Sequence, residues 1–271
     1  MVITAALVGA ETTRAQTPYL PITAEEIGLE AAKCREAGAA MVHIHVRKPD
    51  GSPSQDAELY RAAIREIRKR CDILVQTSTG GAVGMGVDER CGPLTLTGAD
   101  RPDMATLSTG TVNFGEDVFW NPRPLVRDIA RRIRAAGLKP ELECFDAGMI
   151  DEARALAKEG LIELPAHFDF VLGVPGALGA RPEALDFMIA SLPEGCTWTC
   201  AGIGRHQLPF VDLSAERGGH ARVGLEDNIF ISKGVLAKGS SELVADAAKR
   251  ALSKGRTLAT PQQARELLRL A

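Results

Sequence analysis

Two histidines separated by one residue, in Val42-His43-Ile44-His45-Val46, are the sharpest chemical signal in the chain. Residues i and i+2 of a strand share a face, so both imidazoles would project together while Val42, Ile44 and Val46 face the other way. Two neutral imidazoles at that spacing can converge on one metal ion, or can simply be hydrogen-bonded core histidines. Far along the chain, Gly224-Leu225-Glu226-Asp227 offers carboxylates, and Glu226 would complete a ligand set with His43 and His45. Two histidines and a carboxylate form a catalytic zinc set with an open position. They equally form the facial set of non-haem iron enzymes, so residue types alone do not name the metal.

Other residues could act beside such a centre. Arg222 and Asp227 stand five positions apart, and an arginine near an aspartate keeps it ionised and oriented as a positioned base. The plainer alternative for that pair is a surface salt bridge. In Gln76-Thr77-Ser78-Thr79-Gly80-Gly81, hydroxyls and glycine amides can bind a carboxylate or oxyanion, or make an ordinary turn. Gly204 and Arg205, in Gly202-Ile203-Gly204-Arg205, would lie where barrels often bind phosphate. Glu11, Thr106, Ser108 and Glu143 are further polar candidates on or near strand ends. His167 reads as structural, and His206 and His220 carry no assigned role. No convincing nucleophile–base pair is present.

Elements that could position these groups alternate from end to end. Eight strands are expected at Val2–Gly9, Ala40–Val46, Ile73–Thr77, Met104–Ser108, Glu141–Phe145, Phe168–Leu172, Thr197–Gly202 and Ala221–Leu225. Helical patterns fall at Ala24–Ala37, Asp56–Arg70, Asp88–Leu96, Pro124–Ala136, Ala147–Glu159, Pro182–Ser191, Gln207–Arg217 and Ser241–Ser253, with a last helix at Pro261–Leu270. Thr23 with Glu26, Ser240 or Ser241, and Thr260-Pro261 read as helix starts; Gly38, Gly137 and Gly160 read as stops. Eight strands alternating with helices match a closed parallel barrel. An open doubly wound sheet would show a glycine fingerprint after its first strand, and Gly9-Ala10-Glu11-Thr12-Thr13 is not one. The expectation is one α/β domain over 1–271, a (β/α)8 TIM barrel with an extra C-terminal helix. Its chemistry belongs at the carboxyl ends of the strands, where the second and eighth strands both flank the first.

Composition narrows the function classes. The 271 residues carry 32 Lys+Arg against 35 Asp+Glu, a net charge of −3, with no basic block to attract nucleic acid. With 8 Phe, 2 Trp and 2 Tyr there are few platforms for stacking bases. Apolar runs are too short to span a bilayer, and the first residues read as a strand lacking the basic start of a signal peptide. The six cysteines form no C-x-x-C pair and read as reduced thiols, which suggests the cytoplasm.

Taken in order, GAETTR (Gly9–Arg14), VHIHVRKPDG (Val42–Gly51), QTSTGG (Gln76–Gly81), PDMATLSTGTVNFG (Pro102–Gly115), ELECFDAG (Glu141–Gly148), VLGVPGALGA (Val171–Ala180) and GGHARVGLEDN (Gly218–Asn228) span nearly the whole chain. This series resembles the β-keto acid cleavage enzymes, and in particular the 3-keto-5-aminohexanoate type. The resemblance implies a zinc ion on His43, His45 and Glu226, and a reaction in which a β-keto acid and acetyl-CoA give acetoacetate and a new acyl-CoA. By the same analogy, Arg222 and Asp227 form the dyad that deprotonates the keto acid, with Ser78 nearby and Glu143 among the catalytic groups. Glu11, Thr79, Gly80, Thr106 and Ser108 would line the substrate, Gly204 and Arg205 the CoA, and a homo-oligomer, a tetramer, is implied. Glu11 and Glu143 either face the substrate tail, favouring a cationic or hydrogen-bonding group, or orient loops and ligands from behind. Ser108-Thr109 and the motif-free segment Met85–Asp100 depart from the pattern and bear on which acyl tail is accepted.

Two other readings compete. Amidohydrolase barrels also carry H-x-H with a late aspartate, but on the first strand and with Lys or His ending middle strands. A non-catalytic metal- or ligand-binding barrel would make the acid–base groups incidental.

Overall fold

The computed structural model describes residues 1–270. Eight parallel strands close into a barrel: β1 (Ile3–Ala6), β2 (Met41–Ile44), β3 (Leu74–Thr77), β4 (Met104–Ser108), β5 (Lys139–Cys144), β6 (His167–Leu172), β7 (Thr197–Gly202) and β8 (His220–Val223). Each pairs with its neighbours in sequence, and β8 closes on β1. Thr4 stands opposite Arg222, Ala6 opposite His43, and His43 opposite Gln76. This register brings β8, β1, β2 and β3 side by side at the mouth.

Helices clothe the ring: α1 (Ala24–Glu36), α2 (Ala57–Arg70), α3 (Val87–Arg90), α4 (Arg123–Ala135), α5 (Gly148–Lys158), α6 (Pro182–Ala190), α7 (Gln207–Glu216) and α8 (Ser240–Ser253). On α2 the buried residues Tyr60, Ala63, Ile64 and Ile67 fall at helical spacing and pack on Val42, Ile44 and Val46 of the β2 segment. Burying each isoleucine contributes about 2–3 kcal/mol. Thr23 and Glu26 make a reciprocal capping box at α1, as Thr260 and Gln263 do at α9 (Pro261–Leu267). The extra helix α9 covers the floor, its Ala264 and the following Leu268 packing on Val2, Met41, Leu74 and Met104.

Three local expectations change. The helix expected over 88–96 stops at Arg90 and gives way to 3-10 turns at Gly92–Thr95 and Gly98–Asp100. Pro93 donates no backbone hydrogen bond, and the Gly92 backbone lies so close to the Gln55 carbonyl that no side chain fits. At α8, Gly239 takes the cap position, and the Ser240 hydroxyl instead accepts the Leu225 N–H at 3.1 Å, tying the helix to the chain leaving β8. Small antiparallel hairpins also stand on the rim: Val46–Arg47 with Pro53–Ser54, Val112–Phe114 with Asp117–Phe119, and Phe230–Ser232 with Val235–Leu236. No helix among the described residues is long and apolar enough to cross a membrane.

Candidate active site

His43 lies in β2, His45 one residue beyond it, and Glu226 three residues beyond β8. One ligand atom from each lies within 4.8 Å of the other two. Glu226 Oε1 is 3.5 Å from His43 Nε2 and 3.6 Å from His45 Nε2. The His43 Nδ1 position is occupied by Gln76 Oε1 at 2.7 Å, so Nδ1–H donates there and the Nε2 lone pair faces the carboxylate. His43 Nε2 and Glu226 Oε2 are buried without a hydrogen-bond partner. Burial pushes His45 down to about 3, leaving it a neutral imidazole. Burial alone would raise Glu226, but His43, Arg222 and His45 bring it down to about 2. Two imidazoles and an ionised carboxylate, with buried His43 Nε2 and Glu226 Oε2 lacking hydrogen-bond partners, fit a divalent cation.

The backbone over this triad is closely constrained. Gly9, at φ +67°, runs directly over Glu226, and a Cβ there would stand 2.6 Å from Glu226 Cγ. Buried Arg47 pins the same loop, donating to the Gly9 carbonyl at 2.8 and 3.0 Å and to the Thr12 carbonyl at 2.8 Å. Thr12 in turn bonds the Leu225 carbonyl at 3.2 Å.

Arg222 organises the acids beside the triad. It grips Asp227 with Nε and one terminal nitrogen at 2.8 and 3.0 Å, and reaches Glu226 at 2.6 Å. Its other terminal nitrogen lies 3.6 Å from both Glu143 and Asp169. Burial opposes the guanidinium charge, but Asp227, Glu226 and Asp169 outweigh it and hold the arginine well above its usual pKa. Burial pushes Asp227 up, with Arg222 pulling against it. Glu143 is likewise raised by burial, and the Ser108 hydroxyl donates to it at 2.6 Å. Fully buried Asp169 lies well above the usual carboxylate range because of burial and the adjacent Glu141. His167 sits at the opposite end of the barrel, 3.2 Å from Glu141, and His220 Nδ1 accepts the Val2 N–H.

A cavity of about 420 Å³ opens over these groups, reaching Glu11, His45, Ser78, Gly80, Glu143, Arg222, Glu226 and Asp227. The Ser78 hydroxyl accepts the Gly80 N–H at 3.0 Å, leaving its own O–H to donate. Thr79 and Thr106 sit behind this turn and bond each other at 2.7 and 3.3 Å; neither they nor Ser108 lines the cavity. The Gly204 N–H donates to the Asp227 carbonyl at 2.8 Å, and Arg205 stands exposed beside it. Opposite the acids the walls are apolar, with Phe114, Phe119, Phe145, Val171, Val174 and Ile203. The sequence reading gave Gln76 no task and missed the phenylalanines. A glycine at 115 between two short apolar runs was the available hairpin signal.

Residues 1–270 match the profile of the beta-keto acid cleavage enzyme family. The chain belongs to that family. A 3-keto-5-aminohexanoate cleavage enzyme of Fusobacterium nucleatum is 48% identical over 272 residues, covering 100% of this chain and 98% of that protein. A 3-oxoadipate:acetyl-CoA acetyltransferase of Cupriavidus necator is 41% identical, covering 99% and 94%. Among solved structures, apo ObcA superposes with a TM-score of 0.81 over 95% of this chain and 66% of its own, at 23% identity. That last likeness concerns the barrel alone. The H-x-H strand, the Ser78 turn and the Arg222–Asp227 segment meet at this mouth.

Proposed function

We propose that this beta-keto acid cleavage enzyme uses acetyl-CoA as co-substrate, giving acetoacetate and a new acyl-CoA, with zinc held by His43, His45 and Glu226. The observation that carries the reading is the convergence of those three ligands beside the Arg222–Asp227 pair under one cavity. The names of relatives that act on β-keto acids or with acetyl-CoA support it. When bound, zinc would supply a Lewis acid for the keto oxygen and carboxylate, acidifying the carbon between them.

The protein's own groups would do the rest. Asp227 accepts the proton from that carbon, and Arg222, bonded to both its oxygens, fixes its direction. The carbanion adds to the thioester carbonyl of acetyl-CoA and forms a new C–C bond. CoA then moves to the other carbonyl, and retro-Claisen cleavage of the older bond frees the new acyl-CoA and an acetoacetate carbanion, which takes the proton back from Asp227. Ser78 O–H and the turn at Gly80 face the substrate's anionic oxygens, with Thr79 and Thr106 holding the turn from behind. Glu143, buttressed by Ser108, stands beside Arg222 and contributes to the same acid–base cluster. Glu11, exposed on the rim, faces a cationic or hydrogen-bonding tail, and an amine at that position suits it. Arg205, set above Gly204, offers a cation to the phosphates of CoA.

Residues 1–271 act as one catalytic domain in this reading, in a cytoplasmic homo-oligomer that is a tetramer by family likeness. Six free cysteines accord with a reducing compartment. The amidohydrolase alternative loses ground because β5 and β6 end in Cys144 and Leu172, where that class places Lys or His. The test is a panel of β-keto acids assayed with and without acetyl-CoA, followed as acetoacetate, with zinc counted by elemental analysis. Acetoacetate formed only with acetyl-CoA is the expected result; hydrolysis independent of CoA would overturn it.

A further inference from the structure

The apolar wall of the cavity is an assembled device. Phe114 and Phe119 come from the Val112–Phe119 hairpin and Phe145 follows β5. The three rings meet pairwise edge to face, with centroids 6.2–6.3 Å apart. The hairpin is seated on the loop after β6 through the Gly115 N–H, which donates to the Pro175 carbonyl at 3.0 Å.

Behind this wall lies a buried cation from the segment over 85–100 that carried no motif. Arg90 is 2% exposed, and among the described residues it pairs with no carboxylate. Its donors go to neutral oxygens: Nε to the Thr79 carbonyl at 2.7 Å, and terminal nitrogens to Asn121 Oδ1 at 2.7 Å and the Trp120 carbonyl at 3.4 Å. Its guanidinium carbon lies 5.3 Å from the centre of the Phe119 ring. Burying a charge with no ion-pair partner is costly even with Glu143 acting on it from farther off, and an apolar side chain would fill the space more cheaply. What only a planar fork provides is simultaneous bonding across separate segments. Here those segments are the turn behind Ser78 and the strand leaving the hairpin, where the Asn121 N–H also donates to Thr111 Oγ1 at 2.8 Å. Phe119 abuts that turn directly: a Cβ on Gly80 would stand 3.2 Å from Ser78 Oγ and 3.3 Å from Phe119 Cζ.

We propose that Phe119 limits the apolar length of the keto acid's tail, and that Arg90 is a positioning residue that fixes Phe119 against the Ser78 turn. The inference rests on the reaction proposed above. It names the accepted class as β-keto acids with short tails, and it gives the segment over 85–100 a task in selectivity.

The experiment compares kcat/KM for 3-oxohexanoate and 3-oxodecanoate in the intact enzyme, Phe119→Ala, Arg90→Met, Arg90→Lys and the Phe119→Ala/Arg90→Met double variant. A ratio between substrates is independent of how much of each sample is folded. Phe119→Ala should raise the long-to-short ratio by roughly tenfold or more. Arg90→Met should move the ratio the same way by a smaller factor. Arg90→Lys, which keeps charge but loses the fork, should resemble Arg90→Met. In the Phe119→Ala background, Arg90→Met should add nothing, the non-additivity expected of two residues acting as a unit. An unchanged ratio in Phe119→Ala, or an independent effect of Arg90→Met on top of it, overturns the proposal. The same ratio read as equilibrium binding by calorimetry needs no turnover. Enzyme that binds both acids but makes no acetoacetate from acetyl-CoA therefore counts against the reaction, while the binding ratio still decides the tail.

Discussion

The two sides of the cavity are built on different plans. On the side of β8, β1 and β2, the functional atoms sit on strands or within a few residues of their ends. They are locked by polar bonds such as Arg222 to Asp227 and Arg47 to Gly9. On the side of β4 to β6, much of the wall belongs to arms raised above the barrel, held by ring edges and backbone bonds such as Gly115 to Pro175. The first plan fixes atoms with the precision that the proposed proton transfer and ion ligation would require. The second lets the accepted tail change without disturbing them, a division of labour that barrels make readily.

Substitutions on the strand side should therefore destroy chemistry, while those on the arms should redirect it. The largest effect is expected for His43→Ala, which should lose both stoichiometric zinc and turnover; full zinc by elemental analysis would move the ligand set elsewhere. Asp227→Asn should keep zinc and fold but lower kcat by about 10²–10⁴. Near-normal kcat there would remove it as the base. Gln76→Leu should weaken zinc binding by about 10–100-fold in a chelator competition while leaving the substrate ratio alone, since its amide only orients His43.

The smallest effect concerns the loop that carries Glu11. Burial would raise Glu26, but N–H groups of Thr23 and Ile22 and the Arg14 guanidinium depress it to about 2. A carboxyl depressed in the folded state stabilises above its unfolded pKa of 4.5, and that stability is lost as pH falls toward 2. The Glu26 side chain is 40% exposed, so solvent screening keeps the contribution modest. Melting temperatures of the parent and Glu26→Gln should differ at pH 7, draw together as pH falls below 4.5 and converge only toward pH 2; a constant gap would contradict this.

The contrast between the two sides also explains what could be seen in the sequence. Strand alternation exposed the H-x-H pair, and all eight strands were placed to within three residues at either end. The late Glu-Asp pair could be set beside the histidines because barrel closure is a topological rule. Arg90 escaped notice because its meaning depends on Thr79 and Asn121, contacts that no local period encodes. Phe119 and Phe114 looked like any apolar pair until the hairpin folded them over the mouth. The expected helix over 88–96 failed for a local reason, a Gly-Pro step inside an otherwise helical pattern.

The barrel has a seam where its first and last strands meet. The Val2 N–H and His220 ring that join across it are 218 positions apart, and Thr12 reaches 213 positions to the Leu225 carbonyl. Both imidazoles lie on one flank of this seam and Glu226 on the other, so a chain lacking its final strand would hold two-thirds of a binding set and no site. Docking the last strand is also among the contacts with the greatest loop-closure entropy to overcome. A ligand that binds only across the closed seam favours closure in proportion to its free concentration. If that ligand is the zinc proposed above, occupancy of the site and completion of folding are thermodynamically linked, and metal availability would govern how often the ring opens.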